Sequence, residues 1–223
     1  MGAYDNNWDT DYILLLIKDN KLRQHNVLKK EEESMSDNVR PRRVILDLAV
    51  TLDGFIEGEN GEVDWCIMDP EMEFNHFLDN IDTILYGKKS YDLWGKYSPQ
   101  NDANETEKEM WEMVHSKEKY VFSRTQTGTE NKVTFINKNI IEEVNKLKNQ
   151  SGKDIWLYGG ASLITTFINL GLVDEFRLSV HPVVLGEGKP LFTDINQRIN
   201  LQMVGSKKFS SGVVQLIYRL NRN

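Results

Sequence analysis

Residues 154–171 read DIWLYGGASLITTFINLG, and the parsing of that stretch decides the fold. DIWLYGG is an apolar, aromatic strand. ASLITTFINLG is a helix, entered directly from the pair Gly159–Gly160 with no loop between. Two readings fit so abrupt a junction. One is a plain strand-to-helix turn in which glycine supplies an unusual backbone angle. The other is an anion seat. A helix start carries unpaired N–H groups and roughly half a positive charge, and glycines let a phosphate approach the backbone. Ser162 adds a hydroxyl, and the ensemble suits a pyrophosphate. Neither GxGxxG nor a P-loop lysine is present, so neither common nucleotide fingerprint applies.

Outward from this junction the chain alternates. Strands are predicted at 42–50, 82–87, 118–123, 133–136, 153–160 and 172–184. Helices are predicted at 69–81 (with an aspartate cap and a proline at the first position), 88–95, 137–152 (capped by asparagine) and 161–171, and 100–116 reads as a polar loop running into a helix. Residues 51–65, 124–132 and 185–192 read as loops, and 201–220 as a hairpin with a glycine turn. Strand–helix alternation argues for an α/β fold with a central, mostly parallel sheet and helices on both faces. The closing run of consecutive strands adds an antiparallel edge.

The 223 residues are 39% hydrophobic, enough for one proper core, and carry a formal charge of −7, which argues against nonspecific nucleic-acid binding. A single cysteine, Cys66, rules out an intramolecular disulfide and a cysteine-based zinc site. His25, His76, His115 and His181 are scattered and show no metal spacing. Residues 1–40 are polar except for YILLLI at 12–17, which is too short for the roughly 20 residues of a membrane span. They read as an N-terminal appendage to a domain at 41–223, with Met35 as an alternative start.

In open α/β sheets, ligands bind outside the carboxyl ends of the strands. Four stretches qualify: TLDG at 51–54, YGKKSY at 86–91, FSRT at 122–125 and LYGGAS at 157–162. GKKS places two lysines and a hydroxyl at a helix start, where an ammonium is wasted unless an anion binds. FSRT offers Ser123, Arg124 and Thr125, a good receptor for a phosphate monoester. The glycine-broken loop 51–65 carries Asp53, ends at Trp65 and has the character of a lid.

The order of these pieces, LDGFI, Trp65, an acidic helix, LYGKKSY, VFSRT, LYGGASL and LVDEFRLSVHPVVLGEGKPLF, resembles the dihydrofolate reductase-like superfamily. The branch it is most similar to contains the riboflavin-biosynthesis reductase domain and its uncharacterised bacterial relatives. The resemblance covers 42–220 and implies the three-layer fold of that superfamily with NADPH as cofactor. It implies that Gly87, Lys88, Lys89 and Ser90 meet the cofactor phosphates, and that Ser123, Arg124 and Thr125 hold the adenosine end with its 2′-phosphate. Tyr158, Gly159, Gly160, Ala161, Ser162 and Leu163 would cradle the pyrophosphate and border the nicotinamide, with the Gly159–Gly160 peptide cis. Ala49, Val50, Asp53, Gly54 and Ile56 would line the nicotinamide and substrate side, with Trp65, Asp69 and Phe74 toward the substrate.

The implied reaction is hydride transfer to a small heterocycle or carbonyl compound, with 5-amino-6-(5-phosphoribosylamino)uracil reductase-type activity among the options. The proton would come from Asp53, Tyr158 or a bound water. The alternative function is a non-catalytic nucleotide-binding or dimerisation module. A cytoplasmic homodimer is expected, with the apolar strand FRLSVHPVVL supporting the dimer. Two departures bear on substrate. Riboflavin reductases usually carry a glutamate before the double glycine, where this chain has Tyr158. The carboxylate that folate reductases offer past the tryptophan has only Asp69, Glu71 and Glu73 as candidates, and Asp69 also reads as a helix cap.

Overall fold

A computed structural model describes residues 40–100 and 103–221. The appendage, its YILLLI run and the alternative start at Met35 lie outside the described residues. Eleven strands and five helices are described: β1 Val44–Thr51, β2 Phe55–Glu57, α1 Phe74–Asp79, β3 Ile81–Gly87, α2 Lys88–Ser90, α3 Glu105–Ser116, β4 Glu118–Phe122, β5 Gly128–Glu130, β6 Val133–Ile136, α4 Ile140–Lys148, β7 Asp154–Gly159, α5 Ala161–Asn169, β8 Glu175–His181, β9 Lys189–Pro190, β10 Leu201–Lys208 and β11 Val214–Leu220. A π-helical turn at Tyr91–Gly95 continues α2.

Nine strands form one sheet in the order β10-β11-β8-β1-β7-β3-β4-β6-β5. The six inner strands from β8 to β6 run parallel, and the pairs β11/β8, β10/β11 and β5/β6 are antiparallel. The mostly parallel sheet with an antiparallel C-terminal pair is as expected. β5 is a correction, because the stretch 124–132 was expected to be loop throughout. It pairs with β6 through a turn at Asn131 and Lys132, both at positive φ. The loop expectations at 51–65 and 185–192 also miss a short antiparallel pair, β2 with β9, which closes the lid stretch onto the β8–β9 connection.

Strand alternation sorts the side chains into two layers. Val44, Leu46 and Val50 of β1, with Ile155 and Leu157 of β7, pack beneath Val144 and Leu147 of α4 and Leu163, Ile164, Phe167 and Ile168 of α5. On the opposite face Ile45, Ile84, Tyr86 and Trp156 pack against Phe77 and Leu78 of α1 and Trp111 and Val114 of α3. Helices thus cover both faces. Two helix boundaries differ from expectation. The stretch 69–81 is not one helix: Asp69 caps a 3-10 turn at Pro70–Met72, Glu73 takes a left-handed conformation, and α1 begins only at Phe74. Asn139 precedes α4 at positive φ and makes no side-chain cap, and α4 ends at Lys148, short of Gly152.

Buried charge ties the amino ends of the central strands together. Arg43 reaches Asp154 of β7 at 2.6 Å and Glu175 of β8 at 2.6 Å, and Arg219 of β11 adds a second bond to Glu175 at 2.9 Å. Arg42 is itself buried, pairs with Asp82, donates to Thr83 Oγ1 at 2.6 Å and caps the end of α4 through the Leu147 carbonyl. β8 lies between β1 and β11, so its backbone is paired on both sides and has no edge to offer a second copy. The exposed apolar side chains Leu201, Met203 and Val204 belong instead to the edge strand β10.

Removing the cation that two buried carboxylates share is costly even though Arg219 still holds Glu175. Arg43→Met, which strips the guanidinium from two buried carboxylates, is expected to lower unfolding free energy by about 3 kcal/mol. Urea denaturation followed by circular dichroism measures it.

Candidate active site

The parallel register brings the four strand ends to one edge of the sheet, in the spatial order β1, β7, β3, β4. Gly87 of β3 and Gly159–Gly160 of β7 come into contact there. A Cβ on Gly87 would lie 3.5 Å from the Gly159 carbonyl oxygen and 3.7 Å from Leu163 Cβ. The Gly159–Gly160 peptide is cis, and Gly159 has φ +108°, a left-handed conformation that disfavours any side chain. A Cβ on Gly159 would meet Ile164 Cδ1 at 2.8 Å, and one on Gly160 would meet Ser90 Oγ at 2.9 Å. The backbone angle of Gly159 calls for glycine, and together the two glycines keep the backbone bare where α5 begins. The Gly160 carbonyl accepts from the N–H groups of Leu163 and Ile164. The N–H groups of Ala161 and Ser162 have no intrahelical acceptor, as at any helix start.

The cations predicted beside this junction have different fates. Lys88 pairs with Asp92, which also holds Lys96 at 2.9 Å, so its charge is partly spent within the chain. Lys89 is exposed and forms no ion pair among the described residues. Ser123 Oγ accepts from the N–H groups of Thr125 at 3.3 Å and Gln126 at 3.2 Å, folding the loop after β4 into a tight turn. That turn presents Arg124 to solvent, with no hydrogen bond or ion pair among the described residues. Thr125 to Glu130, with Phe135, line a shallow depression of about 450 Å³ beside it.

Asp53 is placed differently from the expected proton source. Its carboxylate accepts from Thr51 Oγ1 at 2.6 Å, from the Gly186 N–H at 2.8 Å and from the Leu185 N–H at 3.3 Å. These bonds, the one from Thr51 foremost, hold its carboxyl below the usual carboxylate range. An acid so held stays ionised; it anchors the lid to the β8–β9 connection. Asp69 takes the helix-cap position that the sequence offers it. Its oxygens accept from the Glu71 N–H at 2.8 Å and the Ser211 N–H at 3.4 Å, so it is a cap that also ties down the β10–β11 turn. Val50 and Ile56 turn their side chains into the α4/α5 core and can line a ligand only through backbone. Gly54 accepts the Leu191 N–H with its carbonyl, and Ala49 faces the other way, onto the α1 side.

On that α1 side the sheet carries a polar surface that the sequence reading missed. Asp47, Ala49 and Thr51 alternate along β1, and Arg177, Ser179 and His181 along β8, with Gln215 from β11 beside Ser179. Asp47, Thr51, Ser179, His181 and Gln215 are all buried. Arg177 Nε lies 3.0 Å from Asp47 Oδ2, and its guanidinium sits 4.9 Å over the Phe77 ring. Gln215 accepts from Arg177 Nη2 and donates to Ser179 Oγ, both at 3.4 Å. Burial pushes the Asp47 carboxyl up to about 6, against the opposing pull of Arg177 and with a further push from Glu175.

The walls are aromatic. Trp65 meets the His181 ring edge-on at 5.3 Å. Phe74 packs on Trp156 at 5.5 Å, and Tyr158 lies between Trp156 at 5.1 Å and Tyr86 at 4.8 Å. Burial, with a smaller contribution from Cys66, pushes the Tyr158 phenol upward, so it remains a neutral hydrogen-bond donor. Among the described residues the Tyr86 hydroxyl, Trp65 Nε1 and Arg177 Nε are buried without hydrogen-bond partners. Such unpaired donors are uncommon away from functional sites. The signal for this surface was in the chain: an aspartate inside the apolar run VILDLAV, and polar residues at every second position of EFRLSVH. Each reads alone as an ordinary amphipathic strand. Among the described residues no group of three or more histidine, cysteine, aspartate or glutamate side chains could hold a metal ion, and no helix is long and apolar enough to cross a membrane.

Comparison with known proteins agrees with this architecture. The chain is 73% identical over 187 residues to the uncharacterised protein YyaP of Bacillus subtilis (strain 168), which covers 84% of this chain and all of YyaP. A Shewanella sp. PV-4 structure named as a riboflavin biosynthesis protein superposes with a TM-score of 0.66 at 23% identity, covering 81% of this chain and 99% of that one. Dihydrofolate reductase of Enterococcus faecalis, complexed with NADP(H), superposes with a TM-score of 0.56 at 13% identity, covering 80% of this chain and 96% of that one. At such identities the two structures speak for the fold, which is dihydrofolate reductase-like. The family model of the RibD C-terminal domain matches residues 42–215, from the first strand to the start of the last, and the chain belongs to that family.

Proposed function

We propose that this protein is an NADPH-dependent reductase that transfers a hydride to a small heterocyclic or carbonyl substrate. The observation that carries the reading is the meeting of Gly87, Ser90, Gly159 and Gly160 at the start of α5, one strand from the exposed Arg124 and on the same sheet as the buried polar side chains of β1 and β8. The residues fit the cofactor by chemistry: the double glycine leaves the backbone bare at the start of α5, with the Ser90 hydroxyl against Gly160. The backbone N–H groups of Ala161 and Ser162, with Ser90 and Lys89, would hold the pyrophosphate. Arg124 and Thr125 would hold the 2′-phosphate. Bound there, NADPH supplies the hydride. The chain's own part is to hold the acceptor over Ala49, to offer it the Tyr158 phenol as a hydrogen-bond donor, and to keep water out with the lid anchored by Asp53. The family match supports the reductase fold, and the solvent-facing cation at Arg124 supports NADPH over NADH.

Two outcomes are expected from titrating the full chain with cofactor while following tryptophan fluorescence. Arg124→Ala weakens NADPH binding about tenfold, the equivalent of one charge-assisted contact at about 1.4 kcal/mol, and leaves NADH binding unchanged. An equal loss for both cofactors would count against the 2′-phosphate assignment. Gly160→Ala loses NADPH affinity because its new methyl meets Ser90 Oγ, and adding Ser90→Ala recovers part of the loss despite removing a hydroxyl. Strict additivity of the two changes would show that the clash is not the cause. Binding without oxidation of NADPH by pyrimidines, pterins or carbonyl compounds would mark the chain as a nucleotide-binding module.

A further inference from the structure

Residues 63–69 carry the end of the lid toward α1 and bury little of themselves. Val63, Ile67 and Met68 are exposed, and Trp65 and Cys66 are half-buried. The far end of the stretch is fixed, because Asp69 accepts from the Ser211 N–H and Glu71 accepts from Ser210 Oγ at 2.7 Å. Before that point, the hydrogen bonds and ring contacts to the sheet converge, among the described residues, on His181 at the end of β8. Trp65 meets its ring edge-on at 5.3 Å, and the Ile67 carbonyl lies 3.4 Å from its Nε2. His181 is 1% exposed, and its other nitrogen, Nδ1, lies 2.9 Å from the Ser179 carbonyl. Thr51, its neighbour on β1, donates its hydroxyl to Asp53 and accepts from the Phe55 N–H, so it does not serve the imidazole.

Both ring nitrogens therefore face carbonyl oxygens, which only accept. A neutral imidazole has one N–H to give. The shorter contact takes it: Nδ1–H donates to Ser179, and Nε2 turns a lone pair toward the Ile67 oxygen. Their separation of 3.4 Å is long for a hydrogen bond, as expected where two acceptors meet. A proton added at Nε2 makes the imidazolium a donor to both carbonyls, and the bond to Ile67 becomes charge-assisted. We propose that His181 is a positioning residue that clamps residues 65–68, and Trp65 with them, onto the end of β8 when its imidazole is protonated, and loosens them when it is neutral. Trp65 closes the lid stretch, so the clamp also sets how firmly that end of the lid is held. It is a property of the chain alone and stands independently of the reductase reading.

The other charged and titratable groups on the elements around His181 are already engaged or lie in solvent. After β1, Asp53 is held low by the Thr51 hydroxyl and by backbone N–H groups, and stays ionised. On the 63–69 stretch, Ser211 and the Glu71 N–H hold Asp69 low, burial pushes the Cys66 thiol up, and Asp64 is exposed. On β10, Lys207 donates to the Glu71 carbonyl at 2.9 Å and pairs with Glu73, and Lys208 is exposed. On α1, His76 is exposed. On β8 itself, Arg177 is paired with Asp47 of β1. Asp47, whose carboxyl burial pushes up to about 6, changes charge in mildly acidic solution, so the test separates its effect from that of His181.

The test follows the full chain by NMR from about pH 8 to about pH 5, the range over which histidine side chains change charge. Isotopically labelled histidine reports the His181 ring. Hydrogen exchange reports the Cys66 amide, which donates to the Val63 carbonyl inside the stretch. The ring is expected as the Nδ1–H tautomer at the upper end and as the imidazolium at the lower end. Corrected for the intrinsic pH dependence of exchange, Cys66 protection is expected to rise about tenfold as the ring protonates, the gain from one charge-assisted hydrogen bond. His181→Gln, which cannot change charge, is expected to show one level of protection throughout, and Asp47→Asn to keep the pH dependence of the parent. An Nε2–H tautomer at the upper end, a ring that stays neutral throughout, or Cys66 protection that does not track the His181 ring would each overturn the proposal. So would a pH dependence that survives in His181→Gln or disappears in Asp47→Asn. The series on the unmodified chain decides the matter whether or not either variant folds, and NADPH binding enters none of these outcomes.

Discussion

The guanidinium of Arg43 is shared by two buried carboxylates, Asp154 at the start of β7 and Glu175 at the start of β8. A charge taken out of water is tolerated only with its partner in place, so the three strands are held at their amino ends in one register. The order at their carboxyl ends follows from this. Ala49 falls beside Ser179, Thr51 beside His181, and the double glycine of β7 arrives beside Tyr86 and Gly87 of β3. A slip of one residue between β1 and β8 would send Asp47 and Ala49 to the α4/α5 side and put Leu48 and Val50 in their place on the α1 face.

The two faces of the sheet are built to different ends. The α4/α5 face carries a large apolar cluster with Phe167 and Leu157 at full burial. The α1 face mixes aromatic rings with buried polar side chains, two of whose neighbours, Tyr86 and Trp65, hold donors without partners. Asp47 shows what this costs. Its folded carboxyl lies above the ordinary value of 3.8, so the folded chain binds more protons than the unfolded one between about pH 4 and pH 6. Its contribution to stability therefore falls as pH rises through that window. A penalty of that kind fits a ligand site, where polar groups are kept for recognition against the interest of the core.

The lid shows how a residue's chemistry can be legible and its job not. Asp53 and its glycine stand out in TLDG, and a carboxylate on a cofactor-facing loop invites a catalytic reading. Leu185 and Gly186, more than 130 residues later, supply the N–H groups that keep it ionised and anchor the loop. Asp69 follows the same pattern: the cap is local and visible in DPEM, whereas its bond to Ser211 comes from the C-terminal turn.

Local chemistry was enough for the strand–helix alternation, the glycine-to-helix junction at Gly159–Gly160, the cationic loop at Arg124 and the antiparallel C-terminal pair. Each depends on residues within one turn or one strand of each other, and glycine, proline and β-branched side chains signal them directly. The tertiary structure alone decided which strand lies at the edge, that β8 is enclosed while β10 is exposed, and that Asp47, Tyr158, Arg177 and Gln215 come to share one face. Those four residues belong to four strands spread over 169 positions of the chain. Strand order and register, set by long-range pairing and by the buried charges at the amino ends, join them into a site that no local pattern could announce.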